Sequence, residues 1–191
     1  GFSLGANLAL KLAAEASRPG YRGAALACVA AANPPIDLSR CCRELRLRKN
    51  RVYDRSFVRW LRGEVRRRHA RHPDLGPVDL GGIRSVYDFD DLYTAPRNGF
   101  KDAEDYYRRS SAGPLVPEIA IPGLVVHAAD DPFIPVAAFR DVRFPPNVRF
   151  ELLPAGGHLG YVARRPWLGD RRWLEARLDV WLAERQTPPA G

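Results

Sequence analysis

The chain opens with Gly1-Phe2-Ser3-Leu4-Gly5, and this stretch decides the fold. It matches the pattern G-x-S-x-G, in which a serine stands on a tight turn between a strand and a helix. Such a turn strains the backbone and exposes the hydroxyl, while the glycines let neighbouring elements approach closely. The helix that follows directs its N-terminal N–H groups at charge that develops near the serine. We therefore predict Ser3 as a nucleophile and the backbone N–H of Leu4 as an oxyanion-hole donor.

The residues after this motif predict the elements that such a turn requires. Residues 5–16 are rich in Ala and Leu and lack Pro and β-branched side chains, so they predict a helix with Leu8 and Leu12 on its buried side. Residues 23–32 form an apolar run that ends at Asn33-Pro34-Pro35, which is typical of a strand buried on both faces of a parallel sheet. Further strands are predicted at residues 121–128 and 148–153, and an amphipathic helix at residues 167–184. This order indicates the α/β class, with a mostly parallel sheet and flanking helices.

An acid and a base follow Ser3 in the order that such a nucleophile requires. Asp130-Asp131-Pro132 comes directly after the strand at 121–128, at the edge where α/β proteins place their sites. His158 lies on a glycine-rich loop after the next strand, 27 residues past Asp131, so one helix and one strand can return the chain to the same edge. The sequence therefore predicts Ser3, Asp131 and His158 as a catalytic triad.

Each of these three residues also has an ordinary structural interpretation. The two aspartates suit a loop or a helix cap, where Asp is common, and His158 suits an exposed loop without a role. We favour Asp131 over Asp130 as the acid because three residues and then Pro135 follow it. This spacing from the acid to a proline is usual in proteins that have the same serine motif and the same order of acid and base. We expect the side chain of Asp130 to face solvent or to cap the next helix.

The remaining histidines and the cysteines suggest no further chemistry. His127 lies inside a predicted strand, where a hydrogen-bonded core position is expected. The three cysteines are too few and too irregularly spaced for a disulfide framework, and no metal-ligand spacing occurs. We therefore expect no metal or cofactor, and a reducing, cytoplasmic location.

Residues 36–112 interrupt the alternation of strands and helices. Apolar residues recur there at helical spacing, first between arginines and then among aromatic and acidic residues. We interpret this segment as a helical cap insertion that lines an apolar acyl pocket. It divides the chain into residues 1–35, which carry the nucleophile turn, helix and strand, the cap at 36–112, and residues 113–191, which carry Asp131 and His158.

The positive charge of the chain is concentrated in one segment. The whole chain has a net charge of +8, while residues 40–72 hold twelve arginines and one lysine against three carboxylates, a net charge of +10. A solvated helix face explains such a run, and weak contact with an anionic membrane surface is the functional alternative. No nucleic-acid-binding motif or row of interleaved stacking aromatics is present, so no nucleic-acid partner is expected.

The chain resembles the YheT-like α/β-hydrolases, also called AB hydrolase family 4. The resemblance covers nearly the whole chain and rests on residues 1–8, 47–53, 94–96 with 99–107, 130–133 and 156–161. It implies hydrolysis of carboxylic esters without a cofactor. It also implies several strands and a second oxyanion donor before the serine, so we expect this chain to be the C-terminal part of an α/β-hydrolase whose N-terminal strands are missing. By itself, such a part is expected to be inactive.

The sequence thus predicts a serine hydrolase that cleaves short- to medium-chain acyl esters or lipids through an acyl-enzyme. Two alternatives stay open. On the same triad, the acyl group could pass to an alcohol instead of water. From another class, the basic segment could make the chain a membrane-surface or nucleic-acid-binding module with a relic triad.

Overall fold

The computed structural model describes residues 1–167 and 170–186. The chain forms two compact units. The first combines Gly1–Ile36 with the residues from Ser111 onward, and the second comprises Asp37–Ser110. Each unit has its own buried apolar cluster.

A parallel three-stranded sheet forms the centre of the first unit. Its order is β1 (Val29–Ala32), β2 (Gly123–Ala128) and β3 (Val148–Leu153), with Val29 opposite Gly123 and Gly123 opposite Val148. All six residues of β2 are buried, as expected for a central strand covered on both faces. The chain entering the nucleophile turn continues the sheet beyond β1, because Phe2 forms a parallel bridge with Ala32. The turn after Phe2 and the loops after β1, β2 and β3 therefore meet at one edge.

Helices cover this sheet. Helix α1 (Leu4–Ala16) packs on β1 with Leu10 and Ala13 fully buried. Helix α7 (Trp173–Gln186) buries Leu174 and Trp181 against alternate residues of β2. The amphipathic character predicted for the closing helix is thereby confirmed. The prediction for α1 was wrong, since Leu8 and Leu12 lie on its exposed side. This helix has apolar residues on two sides, so spacing alone could not choose between them.

Two predicted element boundaries were also wrong. Only Val29–Ala32 of the run at 23–32 forms a strand. The pairing starts where Val29 donates its N–H to the carbonyl of Pro122, and β2 offers no partner for the residues before it. The closing helix begins at Trp173, because β4 (Val162–Trp167) and β5 (Asp170–Arg172) form an antiparallel hairpin before it. Pro166, which has no N–H to donate, disfavours a helix there.

The second unit is helical. Its main helices are α2 (Leu38–Leu45), α3 (Arg51–Arg71), α4 (Val86–Phe89), α5 (Ala95–Arg97) and α6 (Ala103–Ser110), with a π-helical turn at Asp90–Thr94. The carboxylate of Asp37 caps α2 by accepting the N–H of Arg40. Helix α3 buries Val58 and Val65 and leaves Trp60 exposed. That this unit acts as a cap stays a prediction. Among the described residues, no helix has the length and apolar character needed to cross a membrane.

Candidate active site

Ser3 lies on a strained turn at the start of α1. Its backbone has φ 49° and ψ −126°, a region that residues other than glycine rarely adopt. The N–H of Ser3 donates to the carbonyl of Ala32 at 2.9 Å, which ties the turn to the sheet. A side chain at Gly1 would lie 2.4 Å from the carbonyl oxygen of Gly5, so this glycine is required by close approach. Gly5 itself has no atom of the described residues near its missing Cβ, contrary to our expectation for both glycines.

Three predicted residues meet in one row of hydrogen bonds. Nε2 of His158 lies 2.9 Å from the Oγ atom of Ser3, and Nδ1 of the same ring lies 2.9 Å from the Oδ2 atom of Asp131. An ionised carboxylate only accepts hydrogen bonds, so Nδ1 carries the imidazole proton. Nε2 is then left to accept the hydroxyl proton of Ser3. The loops after β2 and β3 and the turn before α1 thus place an acid, a base and a hydroxyl in reacting order.

The carboxylate of Asp131 is buried yet charged. Its Oδ1 atom accepts the backbone N–H groups of Phe133 and Ile134 at 2.8 and 3.1 Å. Burial raises the pKa of this carboxyl, but hydrogen bonds to the charged form outweigh that effect, and the net pKa lies below its ordinary value. The largest of these opposing contributions comes from His158, followed by Asn33. Asp131 therefore remains an anion beside the imidazole.

Asp130 holds the loop that carries His158. The Oδ1 atom of Asp130 accepts the N–H groups of Gly156 and Gly157 at 2.9 and 2.8 Å. Asp130 is exposed, as expected, and its carboxylate also holds the loop before His158, a contact that the sequence did not predict. The ring of Phe133 adds an edge contact to the imidazole at 5.0 Å between centroids.

The backbone N–H of Leu4 suits the role predicted for it, that of an oxyanion-hole donor. Leu4 is the first residue of α1, and within the described part of the chain its N–H has no acceptor. Helix N-termini leave such groups unsatisfied, so Leu4 can donate to an oxyanion next to Ser3. No cluster of three or more His, Cys, Asp or Glu residues suited to a metal occurs in the described ranges.

His127 lies in the core beside this site. It is fully buried in β2, its Nε2 atom lies 3.1 Å from the carbonyl oxygen of Ile134, and its ring packs on Phe139 at 4.3 Å. Burial lowers the pKa of His127 below its ordinary value, so the ring is neutral. The core position expected from the sequence is confirmed.

Two residues of the site were missed by sequence reasoning. Asn33 follows β1 directly, is fully buried and donates to Asp131, and Tyr161 donates to Asn33 in turn. The available signal was a polar side chain directly after a buried strand, at the edge where Asp131 also lies. Because Pro34 and Pro35 follow directly, the sequence indicates only a loop at this point.

A parallel sheet with flanking helices, a serine on a strained strand-to-helix turn, and an acid and a histidine on the loops after later strands define the α/β-hydrolase fold. The chain is 36% identical over 187 residues to "Putative esterase YheT" of Escherichia coli (strain K12), a match that covers 95% of this chain and 53% of that protein. It is thus a YheT-like α/β-hydrolase homologue, and it spans about half the length of this relative.

Two yeast proteins match shorter stretches. The monoacylglycerol lipase of Saccharomyces cerevisiae (strain ATCC 204508 / S288c) is 34% identical over 58% of this chain and 25% of its own length. The medium-chain fatty acid ethyl ester synthase/esterase 2 of the same strain is 36% identical over 44% of this chain and 19% of its own length. No protein-family model matches the chain. No solved structure matches it either.

Proposed function

We propose that the full-length protein is a serine hydrolase that cleaves carboxylic esters through an acyl-enzyme, with Ser3 as nucleophile, His158 as base and Asp131 as acid. The observation that carries this proposal is the row of two 2.9 Å hydrogen bonds from Ser3 through His158 to Asp131. The names of the relatives support an ester substrate with an acyl chain, as in monoacylglycerols or short- to medium-chain esters.

This geometry supports the following steps for the first half of the proposed reaction. The Oγ atom of Ser3 attacks the ester carbonyl while Nε2 of His158 takes the hydroxyl proton. Asp131 stabilises the imidazolium that forms, and the N–H of Leu4 donates to the oxyanion of the tetrahedral intermediate. Nε2 then gives its proton to the departing alcohol as the bond between the carbonyl carbon and the alcohol oxygen breaks. Ser3 is left carrying the acyl group.

The second half repeats these roles with a new nucleophile. His158 takes a proton from water, the resulting hydroxide attacks the acyl carbonyl, and the proton returns to Ser3 as the acid is released. An alcohol in place of water would give a new ester by the same steps. The yeast relative named as both ester synthase and esterase supports this transfer as the second candidate reaction.

The test is labelling and turnover in the full-length protein. Ser3→Ala should abolish reaction with a fluorophosphonate probe and lower ester turnover by about 10⁶-fold, since loss of a triad nucleophile has an effect of that order. Ser17→Ala is a matched control, because Ser17 is bonded to the backbone at the end of α1. Ester cleavage that survives in Ser3→Ala at more than a few per cent would refute the assignment.

We also propose that the basic segment contacts an anionic membrane surface. Within the second unit, a groove of ≈ 320 Å³ is lined by five arginines over an apolar floor. Its arginines are Arg55, Arg59, Arg62, Arg66 and Arg84. Among the described residues none of the five forms an ion pair, so their charge is available to lipid phosphate groups. A cytoplasmic location is proposed as well, because the three cysteines are too few and too irregularly spaced for a disulfide framework.

A further inference from the structure

Asn33 joins the acid and the base loop through one side chain. It is fully buried, and its Nδ2 atom donates to Oδ2 of Asp131 at 2.6 Å and to the carbonyl of Gly157 at 3.1 Å. Both hydrogens of the amide are thereby used on the site. The backbone of Asn33 has φ 46°, a left-handed conformation that Asn tolerates better than most residues and that aims the side chain at this edge.

Tyr161 sets the orientation of this amide. Its hydroxyl donates to Oδ1 of Asn33 at 2.5 Å, so the oxygen end of the amide faces the tyrosine and the nitrogen end faces Asp131. Burial raises the pKa of Tyr161, which keeps the hydroxyl protonated and able to donate. A side chain at Gly156 would lie 2.4 Å from the tyrosine ring, so the glycine loop is shaped to admit this ring.

The contacts of Asp131 show what Asn33 adds. Oδ1 is held by two backbone N–H groups, whereas Oδ2 accepts from His158 and from Asn33. Without the amide, Oδ2 would keep only the imidazole as its partner, and its position would be less tightly restrained. The second amide bond, to Gly157, restrains the residue directly before His158. Asn33 thus fixes both ends of the Asp131–His158 hydrogen bond.

We propose that Asn33, oriented by Tyr161, is a positioning residue that holds Asp131 and His158 in line for acyl transfer; this inference rests on the proposed function. A buried polar cluster with a purely structural role would lower stability when broken but would leave each folded molecule fully active. A positioning residue must instead lower turnover, and must do so through the Asp131–His158 hydrogen bond that it holds in line.

A double-mutant cycle in the full-length protein separates these roles. Asn33→Gly removes the amide without straining the left-handed backbone. It should lower kcat by about 10²-fold, because small misplacements of reacting groups have effects of that order. KM should change by less than about threefold, since substrate binding is untouched. In an Asp131→Ala background the same substitution should change kcat by less than about threefold, because the Asp131–His158 hydrogen bond that Asn33 fixes is already gone.

Two further measurements complete the test. Tyr161→Phe should lower kcat in the same direction and shift the downfield proton resonance of the His158 Nδ1–H group, which reports its bond to Asp131. Asn147→Gly is the matched control, because the amide of Asn147 also bonds two carbonyls but lies before β3, at the opposite edge of the sheet. It should leave kcat and the resonance unchanged.

The outcomes of these experiments decide between a positioning role and a purely structural role for Asn33. Equal losses from Asn33→Gly with and without Asp131, or an unshifted resonance in Tyr161→Phe, would overturn the positioning role. If Asp131→Ala alone left turnover unchanged, the proposed function would fail instead, so the two failures are distinguishable.

Discussion

Asp130 and Asp131 are neighbours in the chain, yet their carboxylates hold different parts of the site. Asp131 bonds the imidazole directly, while Asp130 accepts the N–H groups of Gly156 and Gly157, which lie just before that imidazole. Gly157 and Leu159, on either side of His158, both have positive φ values, so the loop needs external restraint to keep this shape. The exposed aspartate supplies that restraint.

This arrangement predicts a graded response at Asp130. Asp130→Ala should lower kcat by roughly 10-fold, because the loop before His158 loses two hydrogen bonds and the ring moves from its reacting position. Asp130→Asn should lose less, since the amide oxygen can accept the same two N–H groups. Steady-state kinetics on a soluble ester checks both variants, with Asp141→Ala as an exposed-aspartate control. If Asp130→Asn proved as damaging as Asp131→Asn, the division of roles between the two aspartates would be wrong.

Local pattern was enough to predict that Ser3, Asp131 and His158 would lie together, but it did not predict the contact between Asn33 and Tyr161. The first three lie in short motifs whose chemistry is visible at each position, and their order along the chain is diagnostic. Asn33 and Tyr161 are 128 residues apart, and no sequence feature near either residue predicts a contact with the other. Their pairing depends on β1 and the glycine loop ending at the same edge, which only the folded chain reveals.

At the scale of elements, one flank of α3 carries a row of arginines whose mutual repulsion disfavours the helix. Arg55, Arg59, Arg62 and Arg66 follow one flank of the helix at spacings of three and four residues, where like charges repel by about 0.2–0.5 kcal/mol per pair. Within the described ranges, one hydrogen bond links the side chains of this group to the backbone, from Arg62 to the carbonyl of Ile83 at 3.4 Å. The opposite flank, by contrast, neutralises Arg67 with Glu64. An anionic surface would relieve the repulsion on the first flank.

The membrane proposal is tested on this helix. Replacing Arg55, Arg59 and Arg66 together by Gln should weaken binding of the full-length protein to phosphatidylserine-containing vesicles on the order of 10²-fold, because each basic residue near such a surface contributes about 1 kcal/mol. Hydrolysis of a soluble ester should stay unchanged. Co-sedimentation with anionic and neutral vesicles at several salt concentrations measures the effect, which should fade as salt screens the charges.

The matched control for this triple variant removes the same charge from the other flank. Replacing Arg67, Arg68 and Arg71 by Gln should weaken vesicle binding much less. Equal weakening by the two triple variants would indicate a general charge effect and contradict a specific groove. Tighter binding to DNA than to vesicles would favour the nucleic-acid alternative.

Element boundaries were harder to predict than element types. The helices and the three parallel strands have the expected order, but β1 is four residues long where the apolar run predicted ten. A strand ends where its partner stops offering hydrogen bonds, and the partner of β1 is nearly a hundred residues away in the chain. The hairpin before α7 depends in the same way on pairing between β4 and β5.

For the molecule as a whole, His127 makes stability depend on pH in a defined window. Burial lowers the pKa of this histidine in the folded protein, while the negative charge of Asp131 and the hydrogen bond to Ile134 oppose that shift only in part. In the unfolded chain its pKa returns to about 6.5. Above that pH the ring is neutral in both states and contributes nothing. As pH falls below it, the unfolded chain takes up a proton that the folded protein resists, so stability decreases.

We therefore expect the free energy of unfolding to fall as the pH decreases through about 6.5, by at most about 1.4 kcal/mol per pH unit from this one group. His127→Phe should be less stable at neutral pH, because the carbonyl of Ile134 loses its hydrogen-bond partner. Its stability should nevertheless depend less steeply on pH, since the aromatic ring that packs on Phe139 no longer titrates. Denaturant unfolding of the full-length protein at a series of pH values measures the slope of the free energy of unfolding against pH. Every other titrating group is common to both proteins.

The control is His72→Phe, at an exposed position, which should leave this slope unchanged. A slope in His127→Phe equal to that of the unaltered protein would mean that this buried ring is not the group that couples stability to pH.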